Sequence, residues 1–156
     1  MRFDVLRPVE ADYASGLKSN AMSCVLRVAQ TDAAGRSVLL TGDIERDQEA
    51  ALRAGQREAL RSDVLIVPHH GSRTSSTAAF LDAVQPRIAV FQAGYRNRFG
   101  HPAPDVLQRY RDRGIAIQAS PACGAWRWDA RTTAAGVCQR DVARRYWHHG
   151  VDEHEP

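Results

Sequence analysis

Apolar positions along the chain fall into short runs separated by polar stretches of helical period. "FDVL", "MSCVLRV" and "SVLLTGD" read as strands, and "IERDQEAALRAG" reads as a helix with an acid-rich start and a terminal glycine. "DVLIVPHH" is a buried strand by its unbroken apolar run, and "SSTAAFLDAVQP" is a helix opened by serine and closed before Pro86. "RIAVFQAG" is a strand, "APDVLQRYRDRG" a helix ending at Gly114, "IAIQA" a strand, and "GAWRWDARTTAAGVCQRDV" a hairpin. Strands that alternate with amphipathic helices predict α/β layers. No repeat or linker divides the chain, so the pattern predicts one domain over residues 1–147 and a polar tail over 148–156.

Composition narrows this only slightly. With 156 residues, 44% of them apolar, the chain can bury one core. It has no run of 18 or more apolar residues, and its start lacks the long apolar stretch of a signal peptide, so the expectation is a soluble chain with no address. The net charge is +3, and 20 of the 21 basic residues are Arg, with Lys18 the exception. Arginine suits a phosphodiester because its planar fork donates two hydrogen bonds to one anion, yet the codon bias of a GC-rich genome gives the same excess. Cys24, Cys123 and Cys138 show no CxxC spacing, which argues against a zinc knuckle.

The polar residues that stand out all follow strands: Asp43 after "VLLTG", His69 and His70 after "LIVP", and His101 after "IAVFQAG". Strand ends of layered α/β folds aim side chains from several loops at one point. Imidazole and carboxylate groups converging there can ligate metal, and an aspartate can bridge two ions. Each residue also has a structural reading. Asp43 stands where a helix N-cap would, His101 can be a loop histidine packed on Pro102, and the His-His pair can belong to a turn. In "YRNRFGHP", Tyr95, Arg96, Arg98 and Phe99 offer stacking faces and phosphate donors, or form a solvated loop.

The series "NAMSCVLRV", "SVLLTGDIE", "DVLIVPHHGSRTSS" and "YRNRFGHP", followed by "RRYWH", resembles the C-terminal metallo-β-lactamase-type domain of ComEC, the DNA-internalisation competence protein. The likeness runs from about Phe3 to about His148, and the ordered set is far more specific than "TGD" alone. It implies an αββα sandwich with two divalent ions, zinc or manganese, at one edge. It also implies an inner-membrane channel protein for single-stranded DNA, with this domain on the periplasmic side as the nuclease that degrades the strand not taken up. DNA and the membrane channel part of the same parent protein are then the partners, with no small-molecule cofactor.

By that resemblance Asp43 matches the bridging aspartate and His101 a late histidine ligand. Of His69 and His70, both catalytic candidates, one is expected to ligate, with His70 favoured, and the other to make a proton or phosphate contact, and the sequence does not assign which. Asn20 and Ser23 match an "N..S" motif beside the site. Ser72 and the amides after Gly71 are placed to hold a phosphate oxygen at a helix start, with Arg73 on the nucleic-acid side. The chain departs from the family's pattern in having no histidine before His69, so the HxDxDH-type first motif is missing and the chain looks like the C-terminal half of the fold, with a half-site. Two other readings remain: a different metallo-phosphodiesterase, such as a phosphorylcholine esterase, and a non-catalytic remnant that binds DNA or the channel.

The terminal hairpin carries two further expectations. Trp126 and Trp128 point to one strand face, either as a base-stacking platform or as sheet-packing side chains. A register centred near residue 130 would set Cys123 opposite Cys138, as a cross-strand disulfide favoured by an oxidising compartment or as two unrelated thiols.

Overall fold

The computed structural model describes residues 1–32, 35–132 and 136–146. The expected boundary at residues 147/148, the polar tail, and Trp147 and His148 of "RRYWH" lie outside the described residues. Six strands, β1 (Arg2–Arg7), β2 (Val25–Ala29), β3 (Ser37–Leu40), β4 (Val64–Ile66), β5 (Ile88–Phe91) and β6 (Ala116–Ala119), form one sheet in sequence order. β1, β2 and β3 pair antiparallel, and β3 to β6 run parallel. Helices α2 (Arg46–Leu60), α3 (Ala78–Val84) and α4 (Pro104–Arg111) make the parallel crossovers. Crossovers that share one hand and add strands in one direction keep their helices on one face. A single core lies there, built from Leu39, Leu65 and Phe91 of the sheet and Leu52, Phe80, Leu81, Val106 and Tyr110 of the helices. Full burial of each large side chain is worth about 1.5–3 kcal/mol.

Strand register puts Phe3, Val28, Val38, Val64 and Ile88 in one row across the other face. Its centre is covered by a two-stranded hairpin, β7 (Trp126–Arg127) and β8 (Val137–Cys138), whose Trp126 packs with Trp128 on Val64, Ile88 and Val90. The tryptophans therefore act as sheet-packing side chains. Toward β1 the same face is open, with Phe3 and Val5 65% and 63% exposed. The α/β class is thus seen directly, as helices, a mostly parallel sheet and a hairpin cover. Among the described residues no helix is long and apolar enough to cross a membrane.

Several local expectations are corrected. Met22 ends a 3-10 turn, Ser19–Met22, so "MSC" precedes the strand instead of opening it. Gly55 does not end α2. The helix is interrupted at Gln56 (φ −143°) and resumes to the buried Leu60, while Gln56 Nε2 donates to the Leu6 carbonyl at 3.0 Å. The N-cap of α3 is Thr77, whose hydroxyl accepts from Phe80 N–H, not Ser75. Cys123 and Cys138 are disulfide-bonded with Cα atoms 4.7 Å apart, but not as hairpin partners. Trp126 pairs with Cys138, and Cys123 lies at the end of the short helix α5 (Ser120–Cys123) just before the hairpin. Two further short helices, α1 (Glu10–Tyr13) and α6 (Gln139–Val142), are too brief to show a period in the sequence.

Candidate metal and hydrolytic site

Because β3, β4 and β5 are parallel, the segments leaving them emerge at the same edge of the sheet. Main-chain bonds tie these exits together: His69 N–H donates to the Gly42 carbonyl at 3.0 Å, and Ala103 N–H to the Gly71 carbonyl at 2.9 Å. The "HHG" turn is wound left-handed at three successive residues, His69 (φ 48°), His70 (φ 56°) and Gly71 (φ 83°). Non-glycine residues in this region cost about 1 kcal/mol or more each, and such costs collect at functional sites. Only glycine fits at 71, since an added Cβ would lie 2.8 Å from Pro102 Cβ and 2.9 Å from the Phe91 ring.

Four of the residues singled out in the sequence come together at this edge. His70 Nε2 is 3.5 Å from Asp43 Oδ1, and the His69 ring meets those of His70 and His101 edge-on at 6.3 and 5.9 Å. His70 Nδ1 lies 2.7 Å from the Gln92 carbonyl, which can only accept, so Nδ1 carries the hydrogen. The ring's Nε2 stands 3.5 Å from a carboxylate oxygen, an approach that a proton or a cation held between the two atoms satisfies. His101 Nδ1 is buried with no hydrogen-bond partner in the structure. Burial, then the neighbouring His69 and His70, hold the His101 imidazole below its ordinary pKa.

Asp43 is not the N-cap of α2. That position is Glu45, and the Asp43 carboxylate is left free to face the histidines. Its backbone N–H donates to Ser23 Oγ at 3.0 Å, and an added Cβ at Gly42 would meet Ser23 Cβ at 2.9 Å, which explains the close approach of the Ser23 turn. Asn20 supports that turn through its carbonyl, which accepts the Ser23 N–H. Ser72 is buried with its hydroxyl 3.1 Å from Thr74 Oγ1, five residues before the Thr77 cap, so it does not stand at the start of α3. Arg73 lies on the surface against Asp105 of α4. In the loop after β5, Arg96 stacks over Tyr95 and Arg98 over Phe99, and the Phe99 ring stacks on His101.

Two contributors, Glu45 and Asn97, are not marked out by the sequence. Glu45 Oε1 is 3.2 Å from His69 Nδ1 and accepts the Thr74 hydroxyl at 3.0 Å. Asn97 brackets His101, accepting its N–H at 3.0 Å and donating to its carbonyl. Glu45 is visible in "TGDIE", but there it reads only as an acid near a helix start.

The turn that carries the histidines continues into a buried polar network. Glu49 of α2 is buried, and its carboxylate accepts the N–H groups of Ser76 and Thr77 at 2.5 and 2.9 Å. Ser76 Oγ bonds Tyr110 Oη at 2.9 Å, and Arg109 donates to the Ser75 and Ser76 carbonyls. Burial pushes the Glu49 carboxyl above its usual value despite these donors.

Donor chemistry fits a divalent cation in part. Asp43, His70 and His101 are oxygen and nitrogen donors, and a carbonyl on the outer nitrogen of His70 is the usual second contact of a ligating histidine. Among the described residues, no group of three or more His, Cys, Asp and Glu side chains is placed so that it could hold a metal ion.

No family model matches the chain. It is 37% identical over 145 residues to Competence protein ComA of Neisseria gonorrhoeae, covering 93% of this chain and 20% of that protein. It is 36% identical over 117 residues to ComE operon protein 3 of Bacillus subtilis, covering 75% of this chain and 14% of the relative. Recombination protein 2 of Haemophilus influenzae is 35% identical over 105 residues, covering 67% of this chain and 13% of the relative. The chain thus spans a fifth or less of the length of these proteins. It is related to one segment of the ComEC-type competence proteins.

Proposed function

We propose that this chain forms part of a metal-dependent phosphodiesterase site in a DNA-uptake protein, acting as the nuclease on the strand that is not transported. The observation that carries it is His70 Nε2 standing 3.5 Å from Asp43 Oδ1 while the other ring nitrogen is held by the Gln92 carbonyl, an arrangement that a shared cation satisfies. Support comes from the relatives' names and from the left-handed "HHG" turn, which stores backbone strain where it presents two imidazoles. On this reading the chain lies on the periplasmic side of an inner-membrane parent, where an oxidising environment suits the Cys123–Cys138 bond.

Asp43 and His70 would each give one contact to the metal, zinc or manganese, with His101 beside them and the remaining ligands coming from elsewhere in the parent. When bound, divalent ions neutralise charge on the phosphoryl oxygens and make water a better nucleophile. The chain's own residues orient the reactants. Gln92 sets the His70 tautomer, Ser23 holds the Asp43 backbone, and Asn97 fixes the loop that carries His101. Arg98 and Phe99, paired beside His101, give a phosphate donor and a base-stacking face next to the metal-facing groups. Nuclease assays on the purified parent, with and without chelator, test the proposal; undiminished cleavage by Asp43→Ala would sink it.

A further inference from the structure

We propose that the hollow between the exit end of the sheet and the hairpin cover is a subsite for one unpaired nucleobase, with the Gln118 carboxamide reading the edge of the base. Strand register builds its floor. Ile66 of β4 pairs with Val90 of β5, and Val90 with Gln118 of β6, so these residues form one row across the hairpin face near the ends of the strands. Trp126 of β7 closes the hollow from the cover side and leaves a volume of about 260 Å³. Gln92 ties it to the rim: the residue lines the hollow, while its carbonyl accepts from His70 Nδ1 at 2.7 Å.

The lining selects the class of ligand. None of the residues around the hollow is charged, and Ile66, Val90 and the Trp126 indole supply apolar walls. A phosphate or a metal ion would find nothing there to balance its charge, whereas a flat neutral heterocycle buries its faces. The Ser120 hydroxyl is already committed, accepting Ala93 N–H at 3.0 Å and donating to the Ala93 carbonyl at 2.7 Å. Gln118 is not. Among the described residues its Oε1 meets only Cys138 Sγ, at 3.3 Å, and that sulfur, bonded to Cys123, has no hydrogen to give. The carboxamide therefore keeps both its N–H donors and its oxygen for a ligand. Glutamine sets a donor beside an acceptor, as the edges of bases do, and so pairs with them through two bonds.

Only a base outside a duplex has its edge free to enter, so the ligand is a single strand. A strand whose phosphate lies at the His70 and Asp43 rim can pass the adjoining base over Gln92 into the hollow. This placement rests on the phosphodiesterase reading, whereas the base contact itself does not.

Nitrogen-15 spectra of the purified chain, titrated with a deoxyadenosine hexamer and with an abasic hexamer of equal charge, test the subsite directly. The deoxyadenosine hexamer should shift the Gln118 side-chain amide and the Trp126 indole N–H signals, and the abasic one should leave both in place. Gln118→Ala should weaken binding of the deoxyadenosine hexamer by at least about fivefold without changing that of the abasic one. Signals that stay in place with the deoxyadenosine hexamer, or move equally with the abasic one, overturn the proposal, and the wild-type spectra decide even if the variant misfolds. In the complete parent, homopolymers of dA, dC and dT should be cleaved at different rates, and Gln118→Ala should narrow that spread. Equal rates in the wild type, or a spread that survives in the variant, remove the specificity role. A parent with no nuclease activity at all would count against the phosphodiesterase reading and leave the hexamer titration to decide the base site.

Discussion

Two polar clusters hang on the same stretch of chain, residues 68–77, and they differ in how completely their groups are paired. Beneath, the Glu49 carboxylate is buried and both its oxygens accept main-chain N–H groups, while Ser76, Tyr110 and Arg109 close the network. At the rim, His70 Nε2 and Asp43 Oδ1 stand 3.5 Å apart without a closed network, and His101 Nδ1 has no hydrogen-bond partner. Both contain a carboxylate on or beside α2, so composition does not distinguish them. A saturated buried network rigidifies a fold. An unsaturated one held on strained backbone is kept for something that binds. The saturated network holds the base of the turn whose tip is left unsatisfied.

The largest effect that separates the clusters should come from Asp43→Ala. It should abolish cleavage by the complete parent while changing folding stability by no more than about 0.5 kcal/mol, because the side chain lies at the open rim. A matched activity assay and urea melt check both halves. Glu49→Ala should do the reverse in the isolated chain, costing about 3 kcal/mol by stranding the Ser76 and Thr77 N–H groups in the interior. A midpoint close to wild type would erase the distinction drawn between the clusters.

Glu49 also gives a pH signature. Its carboxyl is raised in the folded protein, so its favourable contribution is fully present below the unfolded value and is lost as pH rises through the folded one. Relative to Glu49→Gln, which does not titrate, the wild-type thermal midpoint should therefore fall as pH is raised from about 4 toward neutrality. A difference that stays flat with pH would show that the carboxyl titrates alike in both states. The smallest effect belongs to the rim in isolation: the 156-residue chain should bind zinc or manganese weakly and lose it on dialysis. Retention of two stoichiometric ions would mean that this chain alone completes the site.

The contrast also marks what the sequence makes legible. The strands themselves and the location of Asp43, His69, His70 and His101 at one edge follow from runs such as "VLLTGD" and "LIVPHH", because a buried parallel strand is apolar throughout and must deliver its next residues to the same rim. Glu45 and Glu49 are indistinguishable in "IERDQEAAL". Which faces His69 and which is buried depends on where α3 and its preceding loop pack, a tertiary contact that no local period records. Asp43 reads locally as a helix cap, yet the helix starts two residues later, leaving the carboxylate free. The Cys123–Cys138 bond joins a short helix to the hairpin across an irregular chain path, which is why an idealised strand register finds the right pair with the wrong geometry.

The hairpin cover has an optical consequence. Two of the three tryptophans, Trp126 and Trp128, pack on the hairpin face of the sheet, whereas the aromatic side chains of the main core are Phe80, Phe91 and Tyr110. Indole emission therefore reports largely on the cover, and far-ultraviolet circular dichroism on the helices of the opposite face. A melt recorded by both probes would time the two layers separately. Coincident curves would show that the cover and the helical core unfold as one unit, and an early emission change, especially after reduction of the disulfide, would show the cover lifting away first.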